Sequence, residues 1–480
     1  MKRVISALLT FMLLLPTPSV FAQGVIYAVR GDAAFVQGCD TSLSVLSVDA
    51  YYAGKRVSVI GANAFLGANA KELILPDTIE VFENGALYGM GALERLTTPA
   101  SLREIGKLAF GACLSLQSVW LTAGVEKIEG NVFALCANLS EIGVDANNRF
   151  FTSYEGCLYT KDYSTLIACP AGKTGIVNVH KGAKTIAENA FSGCEKVTEV
   201  LLPEGLEHIN SRAFFACDFA EITFPSSLKT IANAAFASCQ NLRSITLPQE
   251  VYFVDAGAFL LCRSLTEINV GEDNINYFSN DGVLYSKPQN SLTLCPPGKR
   301  GAVYVAEGVT AVGDYAFTGA LYVQDIVIPA TVSYISPFAI DASQKIYGVV
   351  GSAAHFAAQD YGIEFEMYVE MIVDSSHIDC LPRLQGGALT LPVRTLAEFL
   401  ELELDYEPQT NTVKLQSGDT SLEIQAQSVA AVLNGRSITL DAPPQIIDDT
   451  MYVPLRFITE LFGCEVQWVN SIPAVIITTR

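Results

Sequence analysis

The side chains able to do chemistry are few and scattered in this chain of 480 residues. Four histidines stand at His180, His208, His355 and His377, and no two have the spacing of a metal-binding pair. No H-E-x-x-H, G-x-S-x-G or P-loop pattern occurs, so neither a nucleophile with its base nor a phosphate cradle is on offer. Asp and Glu number 50, but none recurs in a pattern that marks a paired general acid and base. Asp273-Asn274-Ile275-Asn276 to Asp281-Gly282 begins like a calcium loop but lacks the terminal bidentate glutamate. Its counterpart, Asn147-Asn148-Arg149-Phe150 to Glu155-Gly156, puts Arg149 where an oxygen ligand belongs. Turn chemistry is the expectation for both. The sequence therefore predicts no enzyme, no cofactor and no metal, with the histidines in surface or capping roles.

Twelve cysteines remain to be explained. Cys113, Cys136, Cys194, Cys217, Cys239 and Cys262 each follow a phenylalanine by three residues. Identical positions in successive units point the same way, so these predict a ladder of buried free thiols that pack as small hydrophobes with a weak S–H donor. Ala68 and Ala320 fill the same slot, as packing requires. No C-x-x-C pair occurs to hold zinc. A disulfide needs Cα atoms within roughly 7 Å, a distance adjacent units can approach, so occasional bridges stay open.

What positions these side chains is a repeat. A small residue and a large apolar one recur together at Ala64-Phe65, Ala86-Leu87, Ala109-Phe110, Val132-Phe133, Ala190-Phe191, Ala213-Phe214, Ala235-Phe236, Ala258-Phe259, Ala316-Phe317 and, inverted, Phe338-Ala339. Most intervals are 21 to 23 residues, the signature of a stacked, quasi-one-dimensional protein. One unit runs from Leu242 to Cys262: Leu242, Ile245 and Leu247 predict a short strand stopped at Pro248, and Val251, Val254 and Ala258-Phe259 follow. No single unit can bury these side chains; stacked neighbours can, each buried Phe, Leu or Ile contributing roughly 1.5–3 kcal/mol. Two intervals of 58 residues interrupt the period and are copies of each other. Gly156-Cys157-Leu158-Tyr159 returns 126 residues later as Gly282-Val283-Leu284-Tyr285, and Cys169-Pro170-Ala171-Gly172-Lys173 as Cys295-Pro296-Pro297-Gly298-Lys299. A larger module has been duplicated, with a hairpin-like insert in each copy.

Units of the form L-x-x-I-x-L-P-x-x-V-x-x-V-x-x-x-A-F-x-x-C resemble the BspA-type leucine-rich repeats of bacterial surface proteins. The insert around Tyr277 to Tyr285 resembles the longer repeat variant of that family, and Gly351 to Phe365 the helix and strand that close such arrays, with Ser352 the expected N-cap. The resemblance implies a solenoid over 57–366 after a cap at 23–56, with longer repeats near 142–190 and 268–316.

After Phe365 a second duplication begins. Leu391-Pro392-Val393-Arg394-Thr395-Leu396-Ala397-Glu398 matches Val453-Pro454-Leu455-Arg456-Phe457-Ile458-Thr459-Glu460 at an offset of 62. Each motif passes from helical to two-residue periodicity, into strands expected at Leu402 to Tyr406 and Cys464 to Trp468, then Thr412 to Leu415 and Ala474 to Ile477. Proline opens each helix, where its missing N–H does no harm. This P-[VL]-R-x-[LI]-x-E pattern over 370–480 resembles the copper amine oxidase N-terminal-like domain of exported bacterial proteins. The resemblance implies an accessory module without copper or quinone, since three histidines for copper cannot come from His377 alone. Arg394 and Arg456 are expected in structural ion pairs. The fold expected overall is an α/β leucine-rich repeat solenoid of mostly short strands plus a small C-terminal α+β domain.

The first 22 residues read as a signal peptide: Lys2 and Arg3, the apolar stretch Ala7 to Leu15, and the small-residue site Val20-Phe21-Ala22. Net charge is −20, or −22 without Lys2 and Arg3, which excludes nucleic acid and bare anionic membrane as partners. No later segment has the apolar length of a membrane span. An extended surface without catalytic groups predicts an exported, non-enzymatic binding protein that contacts an extracellular protein or glycan at or near the cell surface. The alternative has the C-terminal domain on cell-wall polymer and the repeats as a spacer. The inserts are where contact is expected, because departures from a regular repeat map to loops on one side of the stack. Arg149, Thr152 and Tyr154 differ from their counterparts Ile275, Phe278 and Asn280, so Arg149, Thr152, Tyr154, Phe278 and Asn280 are the candidate contact residues.

Overall fold

The computed structural model describes residues 24–479 apart from 379, 386, 448 and 470–473; the expected signal peptide lies outside them. The chain divides into two compact units, 1–300 with 313–322, and 301–312 with 323–480.

In the first unit most coils contribute a short strand to one side, a second short strand, often of two residues, to another, and the Ala-Phe turn to a third. On the first side Arg95–Thr97, Ser118–Leu121 and Glu141–Val144 pair in parallel, as do Ser244–Leu247 and Glu267–Val270. The Ser244–Leu247 strand stops before Pro248, as its missing donor requires. On the second side Lys55–Ile60, Val81–Phe82, Glu104–Ile105 and Lys127–Ile128 form one ladder. Thr165–Ala168, Thr185–Ile186, His208–Ile209, Thr230–Ile231 and Phe253–Val254 form another. In these short strands the inward member is an Ile, Val or Phe, and the partner faces solvent.

The third side explains the Ala-Phe pair. Where one regular coil follows another, the large residue donates its backbone N–H to the carbonyl of the next coil's small residue: Phe65 to Ala86, Leu87 to Ala109, Phe110 to Val132, Phe191 to Ala213, Phe214 to Ala235 and Phe236 to Ala258; after the inserts Cys169 and Cys295 donate to Ala190 and Ala316 instead. The rings then stack; Phe191, Phe214, Phe236 and Phe259 follow at centroid spacings of 4.8, 5.0 and 5.3 Å. The backbone is left-handed two residues before and two after the ring, at Asn131 and Leu135, Arg212 and Ala216, Ala234 and Ser238. The ladder thiols close the turn. Cys113, Cys136, Cys217, Cys239 and Cys262 donate to the carbonyls of Leu87, Phe110, Phe191, Phe214 and Phe236 at 2.9–3.2 Å. These cysteines thus satisfy a buried carbonyl of the preceding coil as well as filling space. All twelve are unbridged, and Ala68 and Ala320 are buried in the same slot.

The stack begins earlier than residue 57. Val45–Ser47 already pairs in parallel with Glu72–Ile74, and the hairpin Ala33–Cys39 on Val25–Arg30 caps it through Lys55–Ile60. The period hides this coil because 19 residues separate Leu46 from Phe65 where 14 separate Ile245 from Phe259; the Tyr51–Tyr52 hairpin supplies the excess.

In the second unit Val303–Tyr304, Asp325–Val327, Lys345–Gly348 and Glu364–Met367 form a parallel sheet. The helix Ala353–Tyr361 ends at Gly362 in the left-handed conformation that favours glycine. Two expectations are corrected here. Ser352 occupies the N-cap position, but its hydroxyl makes no capping bond. In the inverted pair Ala339 is buried while Phe338 is 63% exposed, because reversing the order turns the ring away from the stack.

The C-terminal part is built around its duplication. The helices Val393–Phe399 and Leu455–Leu461 start at Pro392 and Pro454 and bury equivalent positions: Val393, Leu396 and Ala397 against Leu455, Ile458 and Thr459. Thr459 is tolerated there because its hydroxyl donates back to the Leu455 carbonyl. Strands Ala388–Pro392 and Thr450–Pro454 pair antiparallel with Leu391 opposite its own duplicate Val453, so a local two-fold axis passes between them. The strands expected after each helix lie at Glu403–Glu407, Thr412–Ser417, Glu465–Val469 and Ala474–Thr478.

Candidate functional site

The first insert is a hairpin of Phe151–Tyr154 and Cys157–Thr160, joined by Thr165–Ala168. The second repeats it with Tyr277–Asn280, Val283–Ser286 and Ser291–Leu294. The first hairpin works as a partition. Phe151 and Leu158 belong to the core of the preceding coils, whereas Cys157 and Tyr159 belong to the core of the following ones. At the equivalent positions Tyr277 and Leu284 join the core that precedes the second hairpin. The recurring rings of the inserts are therefore largely structural: Tyr159 and Tyr285 are wholly buried. Burial raises the Tyr159 phenol well above its usual range despite the N–H of His180 on its oxygen.

A buried asparagine anchors each insert. The Asn274 amide donates to the Pro248 and Val251 carbonyls at 2.8 and 3.0 Å and accepts from the Asn276 and Tyr277 N–H groups at 2.8 Å. Asn148 does the same with Thr122, Val125, Phe150 and Phe151. With its oxygen aimed at two N–H groups, Asn274 is a backbone plug rather than a calcium ligand. Among the described residues no three His, Cys, Asp or Glu side chains gather as a metal site.

The candidate contact residues divide. Arg149 is exposed on the loop before the hairpin, and Asn280 is exposed at the end of its strand. Thr152 and Tyr154 are half-buried and pair with Tyr159 and Cys157. Tyr154 also lies edge-on to His180 at 5.0 Å and to Tyr159 at 6.3 Å, so its ring is held by the core's edge. Phe278 is half-buried and stacks on Tyr285 at 4.9 Å. Arg149 and Asn280 are thus the two most open to a partner. His180 stacks on Tyr163 at 3.9 Å and His208 bonds Thr230 at 2.9 Å, both structural roles.

Three of the grooves among the described residues bear on the site. One of about 280 Å³ runs along the second side of the early coils, past Glu83, Asn84, Glu104, Lys127 and Glu129. A second, about 430 Å³, lies beside the second insert under Tyr252 and Phe253. The third, about 410 Å³, is in the C-terminal part, where Arg394, Tyr406, Asn411 and Asp449 meet. Arg456 pairs with Glu460 at 2.9 Å, as expected of a structural arginine. Tyr252 and Phe253 escape sequence reasoning because the outward position of these two-residue strands has no fixed type: where one coil holds Phe253, others hold Val81, Glu104, Lys127, Thr185, His208, Thr230, Ala311 or Tyr334.

Comparison with known proteins gives these parts relatives. Residues 44–159, 173–286 and 301–350 match the BspA type Leucine rich repeat region in six copies. Residues 372–477 match the Copper amine oxidase N-terminal domain. No curated protein matches the chain. Among solved structures, a leucine-rich repeat protein from Eubacterium ventriosum is similar at 16% identity and a TM-score of 0.46, over 66% of this chain and 92% of that one. The pneumococcal vaccine antigen PcpA is similar at 18% and 0.43, over 73% and 98%. A leucine rich cell surface protein from Faecalibacterium prausnitzii is similar at 20% and 0.34, over 70% and 77%.

Proposed function

The chain belongs to the BspA-type leucine-rich repeat family, and from that premise we propose that it is an exported, non-enzymatic binding protein whose solenoid contacts a protein or glycan at or near the cell surface. The observation that carries this reading is the stack of coils, which spends its large apolar side chains and its thiols on packing and leaves the outward strand positions and insert loops facing solvent. Such a stack presents an extended surface without assembling the convergent acid, base and nucleophile that catalysis needs. Neither the four histidines nor the twelve cysteines form a reactive constellation among the described residues; burial pushes the Cys169 and Cys217 thiols up, away from the thiolate. No helix among the described residues is long and apolar enough to cross a membrane. The C-terminal match is to an accessory domain, and the reading assigns it no copper chemistry.

Fractionating producing cells into medium, wall and membrane, with purified chain titrated onto cell-surface material, tests the proposal. Saturable binding and recovery in the medium or wall are expected. Recovery in the cytoplasm, or turnover of a substrate without stoichiometric capture, would overturn it.

A further inference from the structure

The two inserts offer an internal comparison, because each position of the second has a counterpart 126 residues earlier. The groove beside the second insert is lined by Tyr252, Phe253, Asp255, Gln289, Thr293 and Asp314, among others. Tyr252 and Phe253 are 55% and 45% exposed. Their counterparts in the first copy are Glu126 and Lys127, and Lys127 there pairs with Glu129 at 2.9 Å. The same coil therefore folds with charged residues at these positions, so the fold does not demand two adjacent exposed rings. Thr293 departs in the same way: its counterpart is Ile167, yet it carries a hydroxyl that bonds to nothing among the described residues. Gln289 replaces Tyr163, the ring that in the first copy stacks on His180. The second copy has gained outward rings, and an amide stands where the first copy has the Tyr163 ring.

The geometry points to this groove as a subsite for a neutral carbohydrate, an inference that rests on the proposed binding function and names its ligand class. Exposed aromatic faces carry partial negative charge and attract the C–H edges of a sugar ring. Asp255, Gln289 and Asp314 supply hydrogen-bonding groups for hydroxyls. Asp255 is fixed for this role: its Oδ1 accepts from the Gly257 N–H at 2.8 Å and the Asn233 amide at 2.9 Å. No lysine or arginine lines the groove among the described residues, so a sulfated or phosphorylated polymer finds no countercharge. The volume, about 430 Å³, falls in the range of small-ligand sites, roughly 300–1,000 Å³, enough for a short stretch of a chain that continues across the open surface.

The test is affinity electrophoresis of the full chain in gels containing dextran, galactomannan or hydroxyethyl cellulose, with hyaluronan as the anionic probe and soluble poly-lysine as the cationic one. At least one neutral polymer should retard the protein, and raising salt should not release it. Tyr252→Glu with Phe253→Lys, the residues of the first copy, should weaken that binding at least tenfold at unchanged melting temperature; Tyr252→Ala alone should weaken it measurably. Retardation by none of the neutral polymers, binding that the rim variants leave intact, or salt-sensitive binding to hyaluronan or poly-lysine alone would overturn the assignment. If the neutral polymers fail while the chain still saturates cell-surface material, only the groove's assignment falls; if both fail, the binding function falls with it.

Discussion

Replacing Phe236 by alanine should be among the most damaging single changes in the stack. Its ring is fully buried, lies between Phe214 at 5.0 Å and Phe259 at 5.3 Å with 11° between planes, and meets Phe224 edge-on at 5.7 Å. Truncating a buried phenylalanine costs about 3–5 kcal/mol through lost transfer energy and the cavity left behind. Aromatic pairs add about 0.5–1.5 kcal/mol each beyond buried area, and three are lost here, which places Phe236→Ala at the upper end, near 5 kcal/mol. Relaxation is limited because the next coils hold the backbone through Phe236 N–H to Ala258 and the Cys262 thiol to the Phe236 carbonyl at 3.0 Å. Phe338→Ala is the matched control: its ring is 63% exposed, so the change should stay within about 0.5 kcal/mol. Urea unfolding followed by far-ultraviolet circular dichroism reads both. A loss below 1 kcal/mol at Phe236, or equal losses at the two positions, would refute the stacked-ring account.

Ala112 and Ala216 hold left-handed backbone at φ 55° two residues after a ring; alanine costs about 1–2 kcal/mol there and glycine about 0.5–1 kcal/mol in lost chain freedom, so Ala112→Gly and Ala216→Gly should each raise stability by up to about 1 kcal/mol in the same urea assay. Burial raises the Cys295 thiol to about 12 from an unperturbed 9.0; the folded value lies above the unfolded one, so the stabilisation is present in full below pH 9 and is lost as pH climbs from 9 toward 12. The urea midpoint should therefore fall over that window, less steeply in Cys295→Ala. In native protein a disulfide reagent should reach at most the half-buried Cys39 quickly, and after denaturation all twelve thiols. Tyr154→Asn should lower the melting temperature by stripping the edge of the hairpin core, whereas Arg149→Ile should leave it unchanged.

Much of the solenoid is legible because burial in a stacked protein is periodic: a side chain that must face the axis recurs at every coil, as Phe214, Phe236 and Phe259 do. Backbone demands are harder to read. The left-handed turn positions hold glycine in some coils, at Gly67, Gly85, Gly89, Gly193 and Gly319, but Leu135, Arg212, Ala234 and Ser238 in others, so the usual glycine signal is interrupted. The two plugs Asn148 and Asn274 sit in polar loops that look solvated, yet both are buried because a coil carbonyl faces each of them. Phe338 misleads for the opposite reason, since composition survives the inversion of the pair while direction does not. At the candidate site, duplication drew attention to the inserts, but the recurring rings turned out to belong to the cores on either side of a partition. The exposed pair Tyr252 and Phe253, present in one coil only, is invisible to any argument from period.

The central claim is that the repeats bind and the C-terminal part does not carry that contact. Titrating the full chain onto immobilised cell-surface material tests it most directly, comparing wild type with Arg149→Ile, with Tyr252→Glu/Phe253→Lys, and with Arg394→Ala/Tyr406→Ala. The account predicts saturable binding that one or both solenoid variants weaken at least tenfold while the Arg394/Tyr406 variant binds as wild type does. Binding lost only in the Arg394/Tyr406 variant would contradict it and make the repeats a spacer.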